Sequence, residues 1–208
     1  MHSEKSKDIQ DKRSFIEEAR RAQIIEAAIA VLSEVGYAKA SLAKIAAKAG
    51  ISTSLTLYHF KDRRALMLEV MGTIDHAWMT YINEKLHSAT TARERLRVYI
   101  EASLAFMGTR PQHFAAMIEL TFNGRDLYGG YEAFANEEDP SLLRIRQILE
   151  EGQQNGEFMN FDSTMMALMI RGAIDQFLGY VTMQYSFDLE TYTNHVITTF
   201  ERVIVKEK

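Results

Sequence analysis

Within residues 41 to 64, SLAKIAAKAGISTSLTLYHFKDRR, five cations (Lys44, Lys48, Lys61, Arg63 and Arg64) stand against one acid, Asp62, and two hydroxyl side chains adjoin at Thr53 and Ser54. Ammonium and guanidinium groups neutralise phosphates, and short hydroxyl side chains reach base edges or phosphate oxygens. The chemistry on offer is therefore non-covalent recognition of a nucleic acid. Bond-making chemistry finds less material: the chain has no GxGxxG, P-loop, GxSxG or HExxH pattern. Glu84 and His87 form one Glu-x-x-His pair, but a di-iron bundle needs a second pair and further carboxylates. Asp75-His76 and Glu190 to His195 lack metal-ligand spacing. With no cysteine there is no disulfide, thiolate metal site or thiol switch. No catalytic residue, metal or cofactor is expected.

A recognition surface of this kind needs two short helices held at a fixed angle, and the segment carries signals for both. Ser41 is placed to cap a helix from Leu42 to about Lys48, its hydroxyl accepting from an orphaned N–H of the first turn. Leu42, Ile45, Ala46 and Ala49 share one face of that helix. Gly50 falls where it must stop and reverse, a position that calls for positive φ. Ile51 reads as a buried pivot and Ser52 as the cap of a second helix, Thr53 to Phe60, whose first turn presents Thr53, Ser54 and Leu55. The pattern is a helix-turn-helix. A solvated helical hairpin with ordinary surface lysines is the alternative.

The preceding run, RRAQIIEAAIAVLSEVGY, repeats apolar residues at three- and four-residue intervals (Ile24, Ile25, Ala28, Val31, Leu32, Val35) and stops at Gly36. Phe60 and Leu66 offer apolar surface from the other side, so three helices can enclose a small core and hold the second motif helix rigidly. These flanks, together with SLAKIAAKAGIS, Tyr58-His59-Phe60 and Lys61-Asp62-Arg63 before RRALMLEVM, closely resemble the DNA-binding domain of the tetracycline-repressor (TetR) family of bacterial transcription regulators. The resemblance spans Arg20 to Met71, about a quarter of the chain. It implies that Thr53 and Ser54 approach bases or nearby phosphates, Leu55 packs on a thymine methyl, and Tyr58, His59, Lys61 and Arg63 contact the DNA backbone, with Ser41, Lys44 and Leu57 beside them. One departure bears on these contacts. Many members carry a pattern like Thr-Leu-Tyr where this chain has Leu55-Thr56-Leu57, so a commonly phosphate-binding tyrosine is replaced by Leu57. For Leu55 and Leu57, burial against the first helix stands beside DNA contact as the second reading.

The net charge of −4 is unevenly spread. Residues 1–70 carry 12 basic and 9 acidic side chains, whereas residues 71–208 carry 12 and 19, which reads as a basic head on an acidic body. The expected organisation is a polar arm over 1–19, disordered or continuing the first helix, a DNA-binding domain over 20–71 and a helical body over 72–208. Lys12, Arg13, Arg20 and Arg21 offer either DNA contact or a solvated surface. At 208 residues and 47% hydrophobic, the chain can furnish more than one core. Only Pro111 and Pro140 interrupt it, which permits long helices and an all-α fold. No uncharged apolar stretch of about eighteen residues and no signal-like N-terminus occur, so neither membrane insertion nor export is expected. A cysteine-free chain also fits a reducing cytoplasm.

Helical periodicity places a connecting helix over 65–86 with Leu66, Val70, Ile74, Trp78 and Ile82, then helices over 92–107, 111–121 and 141–153. The stretch 123–139 is the most loop-like. The last two helices, 162–185 and 188–205, are expected to pair with their copies as a four-helix dimer interface, with Gly172, Gly179, Phe187, Val196 and Phe200 in the contact. Packing within one subunit is the alternative. The resemblance favours the dimer, and two-fold symmetry then sets the recognition helices about 34–36 Å apart on a palindromic operator.

Material for an effector pocket lies between head and interface: Trp78, Tyr81, Tyr99, Phe106, Met107, Phe114, Met117, Met169, Phe177 and Tyr180 are bulky, and Asn123, Arg171, Asp175 and Gln176 bring polar groups. Large apolar residues describe a core equally well, and Arg171 with Asp175, four apart, suits a structural ion pair as well as a ligand. The resemblance implies an effector here, mostly apolar or aromatic. The sequence thus reads as a ligand-responsive, homodimeric DNA-binding regulator, a repressor by preference. An all-α enzyme, or a helix-turn-helix protein controlled by a protein partner, are the other readings.

Overall fold

The computed structural model describes residues 2–128, 139–182 and 188–206, with the side chains of 2–14, 125, 128, 178, 179, 181 and 182 outside the description. The regular elements among these residues are helical: α1 (His2–Val35), α2 (Leu42–Lys48), α3 (Thr53–His59), α4 (Arg63–Leu86), α5 (Ala92–Thr109), α6 (Pro111–Asn123), α7 (Pro140–Gln154), α8 (Ser163–Thr182) and α9 (Leu189–Ile204). Single 3-10 turns occupy Tyr37–Lys39 and Arg125–Tyr128, and an isolated β-bridge joins Phe158 to Val205. The fold is all-α, as the sequence implied. The N-terminal arm continues the first helix back to His2. No helix among the described residues is long and apolar enough to cross a membrane.

The chain divides into two compact units, Met1–Asp75 with Gln112–Gly130, and His76–Pro111 with Tyr131–Lys208. The first break lies close to the expected 71. Residues 112–128, assigned from the sequence to the body, pack with the first unit instead, because Ala116, Leu120 and Leu127 enter its core. Helix α4 is continuous across the boundary and supplies residues to both units.

In the first unit the apolar stripe of α1 (Ile24, Ala28, Val31 and Leu32) meets Ile45 of α2, Phe60 after α3, and Leu66, Met67 and Val70 of α4, all at most 4% exposed. Burial of this kind contributes roughly 1.5–3 kcal/mol per large side chain. The half-exposed Lys48–Glu34 pair contributes about 0–1 kcal/mol. The apolar stripe, and not surface charge, therefore holds the motif. Two helix starts are capped as the sequence signals suggested, Ser41 Oγ accepting from Lys44 N–H (3.3 Å) and Ser52 Oγ from Leu55 N–H (3.1 Å), and Asp62 Oδ1 likewise accepts from Ala65 N–H (2.7 Å).

Between the motif helices Gly50 has φ +67°, with Ile51 N–H donating to Ala46 C=O and Gly50 N–H to Ala47 C=O, the double bond of a Schellman turn. Space around a Cβ at Gly50 is open, so backbone conformation alone demands glycine there. Gly36 is constrained twice. Its φ/ψ of 76°/165° is a region essentially reserved for glycine, and a Cβ would stand 3.0 Å from Glu119 Oε2. That carboxylate accepts from Tyr37 N–H (2.8 Å), and the buried Tyr37 hydroxyl donates to Asp126 (2.9 Å), so α6 and the turn after it are clasped to the α1–α2 corner. Burial, reinforced by Asp126, raises the Tyr37 phenol above its ordinary pKa.

In the second unit α5 packs against α7, α8 and α9. Thr91 and Glu94 form a capping box at the start of α5, Asp139 with Pro140 opens α7, and Asp188 caps α9. Glu201 of α9 is shared by Arg93 Nη2 (2.9 Å) and Arg97 Nη2 (3.0 Å) of α5, and these donors hold its carboxyl below the usual carboxylate range.

Two outcomes follow for urea unfolding. Gly36→Ala costs about 1–3 kcal/mol and Gly50→Ala about 1 kcal/mol, because only the first adds a clash to an unfavourable backbone conformation. Because Glu201 has a depressed folded-state pKa, its contribution is present above the unfolded value of about 4.3 and is lost as pH falls through the folded value. Glu201→Gln therefore lowers stability near neutrality by about 1–3 kcal/mol, and the gap to the parent closes in acid.

Candidate nucleic-acid interface and ligand-binding interior

A seven-residue helix presents one inward and one outward side, and the burial pattern of α3 fixes which is which. Thr56 is fully buried, its hydroxyl donating to Ser52 C=O (3.3 Å), so that burial leaves no unmet polar group. Phe60 is buried just beyond it. Thr53, Ser54, Leu57 (44% exposed) and Tyr58 (72% exposed) then line the outward side at the i, i+1, i+4, i+5 positions of a helical face. Of the two leucines for which the sequence leaves burial and DNA contact both open, Leu55 is half-buried and Leu57 is exposed. The outcome follows from helical phase: once Thr56 packs inward, its neighbour Leu57 stands about 100° away.

Clamps from α1 hold this phase. Gln23 Nε2 donates to Ala49 C=O at the end of α2 (2.7 Å), and Arg21 Nη1 donates to His59 C=O at the end of α3 (2.6 Å) while its guanidinium lies over the Phe60 ring. Arg63, expected at the DNA backbone, is used the same way: Nε donates to Ala40 C=O (2.9 Å), Nη2 to Tyr37 C=O, and the guanidinium covers the Tyr37 ring at 4.1 Å. Arg64 donates to Leu127 C=O (2.5 Å). Lys44 and Lys61 are exposed, Ser41 serves as a cap, and half-buried His59 meets Tyr58 edge to face at 5.1 Å. The lysines here are thus exposed cations, while three arginines, Arg21, Arg63 and Arg64, serve as internal braces.

In the second unit Trp78 and Tyr81 of α4 pair with Tyr99 and Phe106 of α5 (centroids 6.1 and 5.7 Å). Met107 and Phe177 are buried, Tyr180 is half-buried, and Phe177 meets Tyr192 at 5.2 Å. Arg171 lies 6.0 Å from the Trp78 centroid, with Nε donating to both Asp175 oxygens (2.8 and 2.7 Å) and Nη1 to Asp139 (3.3 Å), so Arg171 and Asp175 form the ion pair that their spacing allowed. Phe114, Met117 and Asn123 belong to the first unit: Met117 packs on its core and Asn123 donates to Glu119. Three residues that sequence reasoning missed also stand here. Ser103 Oγ and Arg144 Nε are buried without a hydrogen-bond partner, and Arg144 Nη2 donates to Asn83 Oδ1 (2.5 Å). Nothing in their spacing marks them, since α7 and α4 meet only in three dimensions. Among the described residues no group of three or more His, Asp or Glu is placed to hold a metal ion.

Helix α8 carries a second apolar stripe. Ala167, Ile170, Ile174 and Phe177 turn inward, while Met165, Leu168 and Met169 stand 58%, 46% and 63% exposed beside Gly172, around whose Cβ position the space is open. Met169, assigned from the sequence to the effector, therefore belongs with Gly172 on the outer side, and Gln176 is likewise exposed. On α9, Val196 is buried within the unit, Phe200 is half-buried and Val203 is 53% exposed. Phe187 and the surroundings of Gly179 lie outside the described residues.

Comparison with known proteins matches the chain to two successive family models. Residues 24–70 match the model of bacterial regulatory proteins of the tetR family, and residues 74–202 match that of the YsiA-like protein C-terminal region. The fatty acid metabolism regulator protein of Bacillus subtilis is 27% identical over 179 residues, 84% of this chain and 90% of that protein. The Escherichia coli transcriptional regulator BetI is 27% identical over 131 residues, 62% of this chain and 61% of its own. Among solved structures, the Bacillus subtilis transcriptional regulator FadR in complex with stearoyl-CoA aligns with a TM-score of 0.72 at 25% identity, covering 85% of this chain and 95% of that one. A Rhodococcus TetR-family regulator aligns at 0.75 and 21% identity, covering 89% and 98%.

The contrasting roles of the cations are separable by substitution. Arg63→Ala lowers stability by about 1–3 kcal/mol through its lost carbonyl acceptors. Lys44→Ala and Lys61→Ala stay within about 0.5 kcal/mol of the parent. Each lysine change nevertheless weakens DNA binding and reduces the slope of log K against log salt by about 1. Calorimetry beside salt-titrated anisotropy checks both.

Proposed function

The chain belongs to the TetR family of bacterial transcription regulators, and from that premise we propose that it is a homodimeric, cytoplasmic repressor released from a palindromic operator by a mostly apolar effector. The observation that carries this reading is the outward face of α3, where Thr53, Ser54, Leu57 and Tyr58 are exposed on a helix braced from α1. The apolar outer stripe of α8 supports dimerisation, because exposed Met165, Leu168 and Met169 beside an open glycine offer a close-packing face to a second copy.

For the effector, the interior of the second unit holds an aromatic cluster (Trp78, Tyr81, Tyr99, Phe106), with Arg144 Nε and Ser103 Oγ buried without a protein acceptor. Leaving such groups unmet costs about 1–3 kcal/mol each, which a ligand carbonyl or carboxylate offsets. A long-chain acyl thioester has both parts, an apolar chain and an acceptor-rich head, and its class is that of the ligand in the Bacillus subtilis FadR complex. Effector and operator then oppose each other through one coupling free energy, so each weakens the other's binding by the same factor.

The test uses the purified full chain with DNA upstream of its own gene, scrambled competitor and stearoyl-CoA. The expected result is a species of twice 23.8 kDa that binds selectively, loses affinity with salt and releases DNA when stearoyl-CoA is added. Selective binding that stearoyl-CoA leaves unchanged would reject the acyl thioester, and a monomer would reject the dimer.

A further inference from the structure

Resting on the DNA-binding reading of α3, we propose that Leu57 is a specificity-determining residue that reads the C5-methyl group of a thymine in each half-site. On the outward face of α3, Thr53 and Ser54 precede Leu57 by one turn, Tyr58 follows, and Lys61 lies four positions on, all of them exposed and all able to hydrogen-bond. Leu57 is the large apolar side chain of that face, 44% exposed, while the apolar residues Leu55 and Phe60 and the methyl-bearing Thr56 are half-buried or buried.

An isobutyl group has no donor for a phosphate and no means of telling one donor–acceptor pattern from another. What it can distinguish is an apolar surface from a polar one. Among the base edges displayed in the major groove, the thymine C5-methyl is the apolar feature. Leu57 is also well placed to discriminate, because its helix is fixed by the Arg21 and Gln23 clamps and by the inward Thr56, so the side chain has a defined position before DNA arrives. Leu55, half-buried and two positions away on the same helix, is the natural control.

The experiment selects a high-affinity duplex from a randomised library with the full-length protein, then replaces each thymine of one half-site by deoxyuridine in turn. Binding is measured by anisotropy for the parent and for Leu57→Ala, with a melting curve for each. One methyl buried against an aliphatic side chain corresponds to about a fourfold change in affinity. The parent is expected to lose about fourfold at one thymine, and Leu57→Ala, folded with an unchanged melting temperature, to bind the thymine and uracil duplexes alike. Equal loss at that position in both proteins, or no sensitive thymine in the parent, would overturn the assignment. A Leu57→Ala protein that binds both duplexes more weakly by the same factor would assign Leu57 to the sugar–phosphate backbone instead and overturn it as well. Failure to enrich any sequence would reject DNA recognition itself, a result distinct from all of these.

Discussion

A helix of seven residues has little stability of its own, since helix formation has a costly nucleus and isolated helices shorter than about 12 residues are marginal in water. Everything the outward face of α3 can do therefore depends on the neighbours that hold it in one phase. Four contacts set that phase: the Schellman turn at Gly50, the buried Thr56 with its hydroxyl returned to Ser52, the Gln23 bond to Ala49, and the Arg21 bond to His59 with its stack on Phe60. A rotation of α3 by one residue would bury Leu57 and expose Thr56, and the recognition surface would be a different one.

The same economy of parts governs the charges. Seen as a sequence, the head offers a cluster of cations; folded, Arg21 and Arg63 point their guanidinium groups at backbone carbonyls and aromatic rings of the head itself. Planar, many-donor arginine suits that bracing role, whereas the compact, strongly hydrated ammonium groups of Lys44 and Lys61 stand exposed at the surface. In the second unit the division is between two sides of α8, one closing the interior with Ile170, Ile174 and Phe177, the other displaying methionines. A helix apolar on both sides has more apolar surface than its own core takes up.

Much of this was legible in the order of residues. Caps and stops are local, so Ser41, Gly50, Ser52, Asp139 and Asp188 mark helix boundaries that the structure reproduces to within a few residues, and the α1 stripe from Ile24 to Leu32 reads directly as a buried face. What sequence could not deliver was phase and distant partnership. Leu-Thr-Leu at 55–57 invites either leucine to turn inward, and only the packing of the whole head selects the threonine. Met169 looked like pocket lining because composition does not say which side of a doubly apolar helix a residue occupies. The Glu119–Tyr37 bond spans 82 positions, and the Arg144–Asn83 bond 61, distances over which local pattern carries no information.

Hydrogen–deuterium exchange of the full-length protein, with and without a selectively bound duplex, tests the central claim most directly, because backbone protection reports where the chain meets DNA without altering a residue. Added protection is expected in peptides covering 41–61, the segment that presents Lys44, the outward face of α3 and Lys61. Protection confined to 139–206, with 41–61 exchanging as in the free protein while DNA is demonstrably bound, would contradict it.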